Sequence, residues 1–110
     1  MAVQIEITPQ LVIAYLSGEI DHHCAGRIRE AIDDTVAQMV PPPKELYLDF
    51  GSVTFMDSSG IGLVMGRYKL IHELGGTLKI VNLTPSFKRV MKMAGMDKLG
   101  VLEEQGEVKQ

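Results

Sequence analysis

A chain of 110 residues, 45% hydrophobic and 23% charged, is enough for one compact domain with its own core and too short for a second, so residues 1–110 are read as a single unit. A formal net charge of −3, with the 11 Lys and Arg scattered, lacks the basic stripe of a phosphate-backbone binder. No apolar run nears the ~20 residues of a membrane helix, and no signal-peptide pattern opens the chain. With a single cysteine, Cys24, no internal disulfide can form. The expectation is a cytoplasmic protein with neither nucleic acid nor membrane as partner.

Ile5 and Ile7 alternate with polar neighbours, and Leu11 to Leu16 form a denser β-rich run after Thr8-Pro9-Gln10, which predicts an N-terminal antiparallel hairpin. Gly18-Glu19-Ile20-Asp21 is expected to break the second strand and to supply Asp21 as a helix cap. Ala25, Ile28, Ile32, Val36 and Met39 then recur at helical spacing. Pro41-Pro42-Pro43 cannot continue that helix, because each ring removes a donor and restricts the residue before it, so it stops near Val40.

Leu46 to Phe50 resumes a strand, and Val53 to Met56 leads to Asp57-Ser58-Ser59. A second helix follows with an apolar stripe of Ile61, Val64, Tyr68 and Ile71, and Gly75-Gly76 ends it. Thr77 to Val81 reads as a buried strand. Thr84-Pro85 opens a third helix in cap-then-proline order, with Phe87, Val90, Met91 and Ala94 on one face and Gly95 at its end. Leu99 to Leu102 suggests a short last strand before a polar tail that frays or forms a final helical turn. Strands alternating with helices predict an α/β fold with partly parallel pairing and right-handed crossovers: a mixed sheet of four to five strands flanked by about four helices.

The chemistry concentrates at Phe55-Met56-Asp57-Ser58-Ser59-Gly60-Ile61-Gly62. A helix N-terminus leaves backbone N–H groups unpaired and carries about half a positive charge, so Asp57 caps the helix while Ser58 and Ser59 occupy its first turn. An esterase elbow needs glycine two positions before its serine; Met56 stands there, and no sequence rule brings His22, His23 or His72 to Ser58. The chain is therefore read as no enzyme, with a serine hydrolase as the competing class. Gly60, Gly62 and Gly66 do not match the dinucleotide fingerprint, and the reading for Gly62 and Gly66 is close approach of a neighbouring element. Gly60 is also taken to keep the surface beside Ser58 open. Adjacent His22 and His23 lack the spacing of metal ligands, so no metal and no cofactor is expected. Cys24 reads as a small buried hydrophobe, Met56 and Met65 as adaptable apolar contact near the serines, and Arg67 and Lys69 as a solvated helix face.

On Gly18-Glu19-Ile20-Asp21-His22-His23, on Phe55 to Gly62, on Gly66-Arg67-Tyr68-Lys69 with Gly75-Gly76, and on Pro85 with Lys88-Arg89, the chain resembles the STAS-domain family of anti-sigma factor antagonists, nearest its sporulation-type branch that releases sigma-F. The resemblance covers nearly the whole chain. It implies partner switching: the unphosphorylated form binds an anti-sigma factor that is also a serine kinase, with ATP or ADP held by that partner, and releases the sigma factor. Phosphorylation turns the protein off, and a PP2C-type phosphatase restores it. The phosphoacceptor falls on Ser58. Asp21, with His22 and His23, matches a loop at the same partner-facing surface, to which Met56, Asp57, Ser59 and Gly60 also belong. A regulator of a stress-response sigma factor and a STAS module sensing a nucleotide or other anion are the alternatives.

Overall fold

The computed structural model describes residues 2–102, and the polar tail lies outside the described residues. Among the described residues four strands form one sheet in the order β1-β2-β3-β4, with β1 (Val3–Ile7), β2 (Leu11–Ile20), β3 (Glu45–Met56) and β4 (Thr77–Val81). β1 pairs antiparallel with β2, whereas β2 with β3 and β3 with β4 are parallel, so the sheet is mixed as its sequence pattern predicts. The expected last strand shrinks to one parallel bridge between Ile80 and Leu102. The helices are α1 (Ala25–Ala37), α2 (Ser58–Glu73) and α3 (Pro85–Met93), followed by a 3₁₀ turn at Met96–Leu99.

All of these helices lie in one layer. Val12, Ala14 and Leu16 of β2, Leu46, Leu48 and Phe50 of β3, and Leu78 and Ile80 of β4 share one sheet face and pack with Ile28, Ile32, Leu63, Val64, Ile71, Met91 and Met96 in a single core. Phe87 of α3 meets the inward-facing Phe50 edge-on at 6.4 Å. The opposite face carries Glu6, Tyr15 and Asp49, with the Tyr15 hydroxyl donating to Glu6 at 2.8 Å. Val90 and Ala94 of α3 are exposed rather than packed, leaving Met91 and Phe87 as the residues that seat this helix.

Gly18 does not end β2. It takes a left-handed φ of 77° where the β2–β3 register shifts, and pairing resumes from Glu19↔Phe55 to Ile20↔Met56. Asp49 organises the matching irregularity in β3, accepting from Gly51 N at 2.8 Å and from the Asn82 side chain at 2.9 Å. The shift lets two strands of unequal length finish side by side, and that common finish builds the site.

Candidate functional site

Where β2 and β3 end, Ile20 and Met56 are register partners, and each is followed by an aspartate. Asp57 N donates to Ile20 O at 3.2 Å, tying the two exits together. At the β3 exit Asp57 is extended, with φ −102° and ψ −167°, and its Oδ1 accepts from Ser59 N at 2.8 Å. That is the capping arrangement the sequence predicts, and it makes Ser58 the first residue of α2. Ser58 is exposed, and among the described residues its hydroxyl has no hydrogen-bond partner. Ser59 is half-buried beside it.

At the β2 exit Asp21 Oδ1 accepts from His23 N at 3.0 Å and from Cys24 N at 3.1 Å, while its carbonyl accepts from Ala25 N at 2.9 Å. Asp21 therefore closes a turn ahead of α1 instead of capping it. The residue before the helix is Cys24, which makes no side-chain cap bond. His22 and His23 ride on this turn, both exposed, with ring centroids 4.0 Å apart. Partial burial pushes the Asp21 carboxyl up, but the hydrogen bonds from Cys24 and His23 and the nearby His23 ring outweigh it, so its pKa falls below the ordinary value. Cys24 is half-buried against the core, not sealed in it.

The structure thus brings Asp21, His22 and His23 to the same end of the sheet as Met56, Asp57, Ser58 and Ser59. His72 is elsewhere: it stacks on Tyr68 at 5.4 Å in the last turn of α2, about 21 Å along the helix from Ser58 at 1.5 Å per residue.

The glycines need correction. Gly60 is buried, and a Cβ there would run into Met56 Cγ and lie 2.5 Å from its Sδ, so this glycine admits the Met56 side chain and does not hold the surface open. Gly62 and Gly66 are the reverse: nothing lies within 4 Å of a Cβ at either. No element approaches them closely. They instead form the floor of a groove of about 310 Å³ between α1 and α2, bordered by Ser59, Arg29 and Arg67.

Arg67 is also not a solvated residue. It is only 6% exposed, with Nε 2.9 Å from Asp33 Oδ1 and Nη1 donating to Leu63 O at 3.3 Å. The Nε–H is bent away from the carboxylate, so the α1–α2 contact is an ion pair without a linear hydrogen bond. Desolvation raises the Asp33 pKa against the pull of Arg67, and lowers that of Arg67. Lys69 is exposed as expected. Two features of the site escaped the sequence reading. Phe55, which opens the serine segment but carries no role assigned from sequence, is 50% exposed at the end of β3. The paired hydrophobe-aspartate exits, Ile20-Asp21 and Met56-Asp57, are visible in the sequence as a repeat only once both are known to end strands.

The fold and the site together define a small α/β domain that presents two aspartate-ordered turns and an exposed serine at one end of its sheet. The STAS domain model matches residues 2–105, and the chain belongs to that family. Its relatives include an anti-sigma F factor antagonist from Paenibacillus polymyxa, 35% identical over 101 residues that cover 90% of this chain and 85% of the relative. An anti-sigma-B factor antagonist from Bacillus subtilis (strain 168) is 31% identical over 81 residues, 74% of this chain and 71% of the relative. The fold is similar to the anti-sigma factor antagonist SpoIIAA in its unphosphorylated form, with a TM-score of 0.81 at 31% identity, covering 93% of this chain and 86% of that one. The Bacillus cell fate determinant SpoIIAA in the phosphorylated form gives a TM-score of 0.74 at the same identity, covering 93% and 89%.

Proposed function

We propose that this chain is an anti-sigma factor antagonist whose docking surface is the joint end of β2 and β3 and whose switch is Ser58. The unphosphorylated form binds an anti-sigma factor with serine kinase activity, displaces a sigma factor of the sporulation type, and is inactivated when that kinase transfers phosphate to Ser58 Oγ. A PP2C-type phosphatase resets it. Regulation, not catalysis, is the activity of this chain.

The observation that carries the reading is the state of the Ser58 hydroxyl: exposed, unbonded among the described residues, and first in α2 beside the Asp21 turn. A phosphate there adds roughly 1.5 to 2 negative charges at the positive end of a helix dipole, so the isolated fold tolerates it. In a closed interface the same group must be stripped of water next to Asp57, and binding then meets both desolvation and like-charge repulsion. Similarity to SpoIIAA, known in unphosphorylated and phosphorylated forms, supports a phosphorylation switch, and similarity to an anti-sigma-B factor antagonist supports a second reading in which the released factor is sigma-B.

Incubation with candidate anti-sigma kinases and ATP, followed by mass spectrometry, should find one added phosphate on Ser58 and none in Ser58→Ala. Ser58→Ala should still bind the kinase. Phosphate on another residue, or none with any kinase that binds the chain, sinks the proposal. Pull-downs against sigma-F and sigma-B modules separate the two readings.

A further inference from the structure

Among the described residues β1 is an outer strand of the sheet, with one edge unpaired. Ser17 N donates to Ala2 O at 2.9 Å and Thr8 N to Leu11 O at 2.8 Å. Because bonded pairs alternate along an antiparallel ladder, Gln4 and Glu6 also turn their backbone groups toward β2, while Val3, Ile5 and Ile7 turn theirs outward. The sequence Val-Gln-Ile-Glu-Ile has none of the lysine or proline that commonly protects an edge.

Two apolar hollows flank this edge on the α1 side. One, of about 240 Å³, lies beside Ala2 and Val3 against Ile28 and Ala31, with Arg27 also lining it. The other lies at the far end of β1, where Ile7 is 55% exposed next to Met39 and a Val40 that is 94% exposed. We propose that β1 pairs antiparallel with β1 of a second copy about a twofold axis through Ile5, with the Ile7 end of each copy seated on the Val3 hollow of the other.

The register follows from two requirements. An axis at Ile5 sets Val3 opposite the other copy's Ile7 and Ile5 opposite itself, so every outward backbone group of the strand finds a partner. An axis at Gln4 leaves Ile7 unpaired, and an axis at Glu6 places two carboxylates face to face. With the axis at Ile5, Gln4 meets Glu6 instead. The contact is isologous and closes at two copies, giving one continuous sheet. β2 separates this edge from β3, so the pairing and the Ser58 switch stand or fall independently.

Register-specific cross-linking tests it in a Cys24→Ser background. Bonded antiparallel partners have Cα atoms about 5.5 Å apart, within the ~4.4–6.8 Å that a disulfide spans. Ile5→Cys should therefore oxidise to a covalent dimer, Val3→Cys alone should not, and a mixture of Val3→Cys with Ile7→Cys should give the mixed dimer. Sedimentation equilibrium of the unaltered chain should show a concentration-dependent dimer, and Ile7→Lys, at a position already exposed, should weaken it by about tenfold or more at ~1.4 kcal/mol per decade. A chain that stays monomeric at every concentration overturns the proposal and leaves the edge to a strand from another protein. Val3→Cys linking as readily as Ile5→Cys overturns the register.

Discussion

The two strand-to-helix exits at the site begin alike and end differently. Ile20-Asp21 and Met56-Asp57 sit side by side, and each aspartate accepts the N–H two residues on, His23 N at 3.0 Å and Ser59 N at 2.8 Å. At β3 that bond opens the helix directly, so Ser58 rides on the first turn and shares the helix dipole. At β2 the chain spends one further turn on Asp21 before α1 starts at Ala25, and the equivalent residue, His22, belongs to no helix. The difference shows how one local bond can serve two ends. It makes an electrostatically positive seat for a hydroxyl at a helix start on one side and a polar turn outside any helix, held by the Asp21 carboxylate and carbonyl, on the other.

The largest expected effect separates these two positions. A negative charge at Ser58, as in Ser58→Asp, should weaken binding of the proposed anti-sigma kinase partner; a full loss of ~4 kcal/mol is about a thousandfold in affinity, with circular dichroism nearly unchanged. His22→Asp puts the charge at the sister position on a solvated turn and should cost roughly tenfold at most, as a rim charge does. Equal losses in a titration of both variants would mean that helix position plays no part.

Behind the exits, α1 and α2 are joined by Asp33 and Arg67. Asp33→Ala leaves a largely buried guanidinium with the Leu63 carbonyl as its remaining partner among the described residues and should destabilise the fold by about 2 kcal/mol, less than a fully buried pair because Asp33 is 35% exposed. Asp33→Leu with Arg67→Met should recover most of that loss in denaturant unfolding, since the pair itself carries the desolvation shown by the raised Asp33 pKa.

Capping gives a smaller contrast. Asp57→Ala removes a direct helix cap and should cost about 1 kcal/mol in urea unfolding, whereas Asp21→Ala, which loosens a turn outside the helix, should cost less. The smallest effect is in pH. The folded Asp21 pKa lies below its unfolded value, so its contribution is fully present above the unfolded pKa and disappears as pH falls through the folded one. The amide resonances of His23 and Cys24 should accordingly hold their positions through the ordinary carboxylate range and move only at more acidic pH.

Much of this was legible in the residues. The hairpin, the parallel strands, the stop before Pro41, the Asp57 and Thr84 caps and the exposed Ser58 all follow from periodicity and local hydrogen-bonding chemistry, and the structure carries each of them. The misreadings share one cause. Gly18 looks like a strand breaker until the neighbouring strand absorbs the irregularity, and Arg67 looks solvated until Asp33 arrives from another helix. The three glycines of α2 look interchangeable until Met56 occupies the space over one and nothing occupies it over the others.

Sequence alone determined most of the elements, the Asp57 and Thr84 caps and the place of Ser58 at a helix start, because those depend on groups within a few residues of one another. Tertiary structure decided which aspartate caps a helix, which glycine is filled and which arginine is buried. It also decided that the Asp21 turn stands beside Ser58. The burial of Arg67 and the meeting of the Asp21 turn with Ser58 depend on helix contact and strand register between segments far apart in the chain, which no local pattern encodes, whereas the space over Gly60 is taken by Met56 only four residues away.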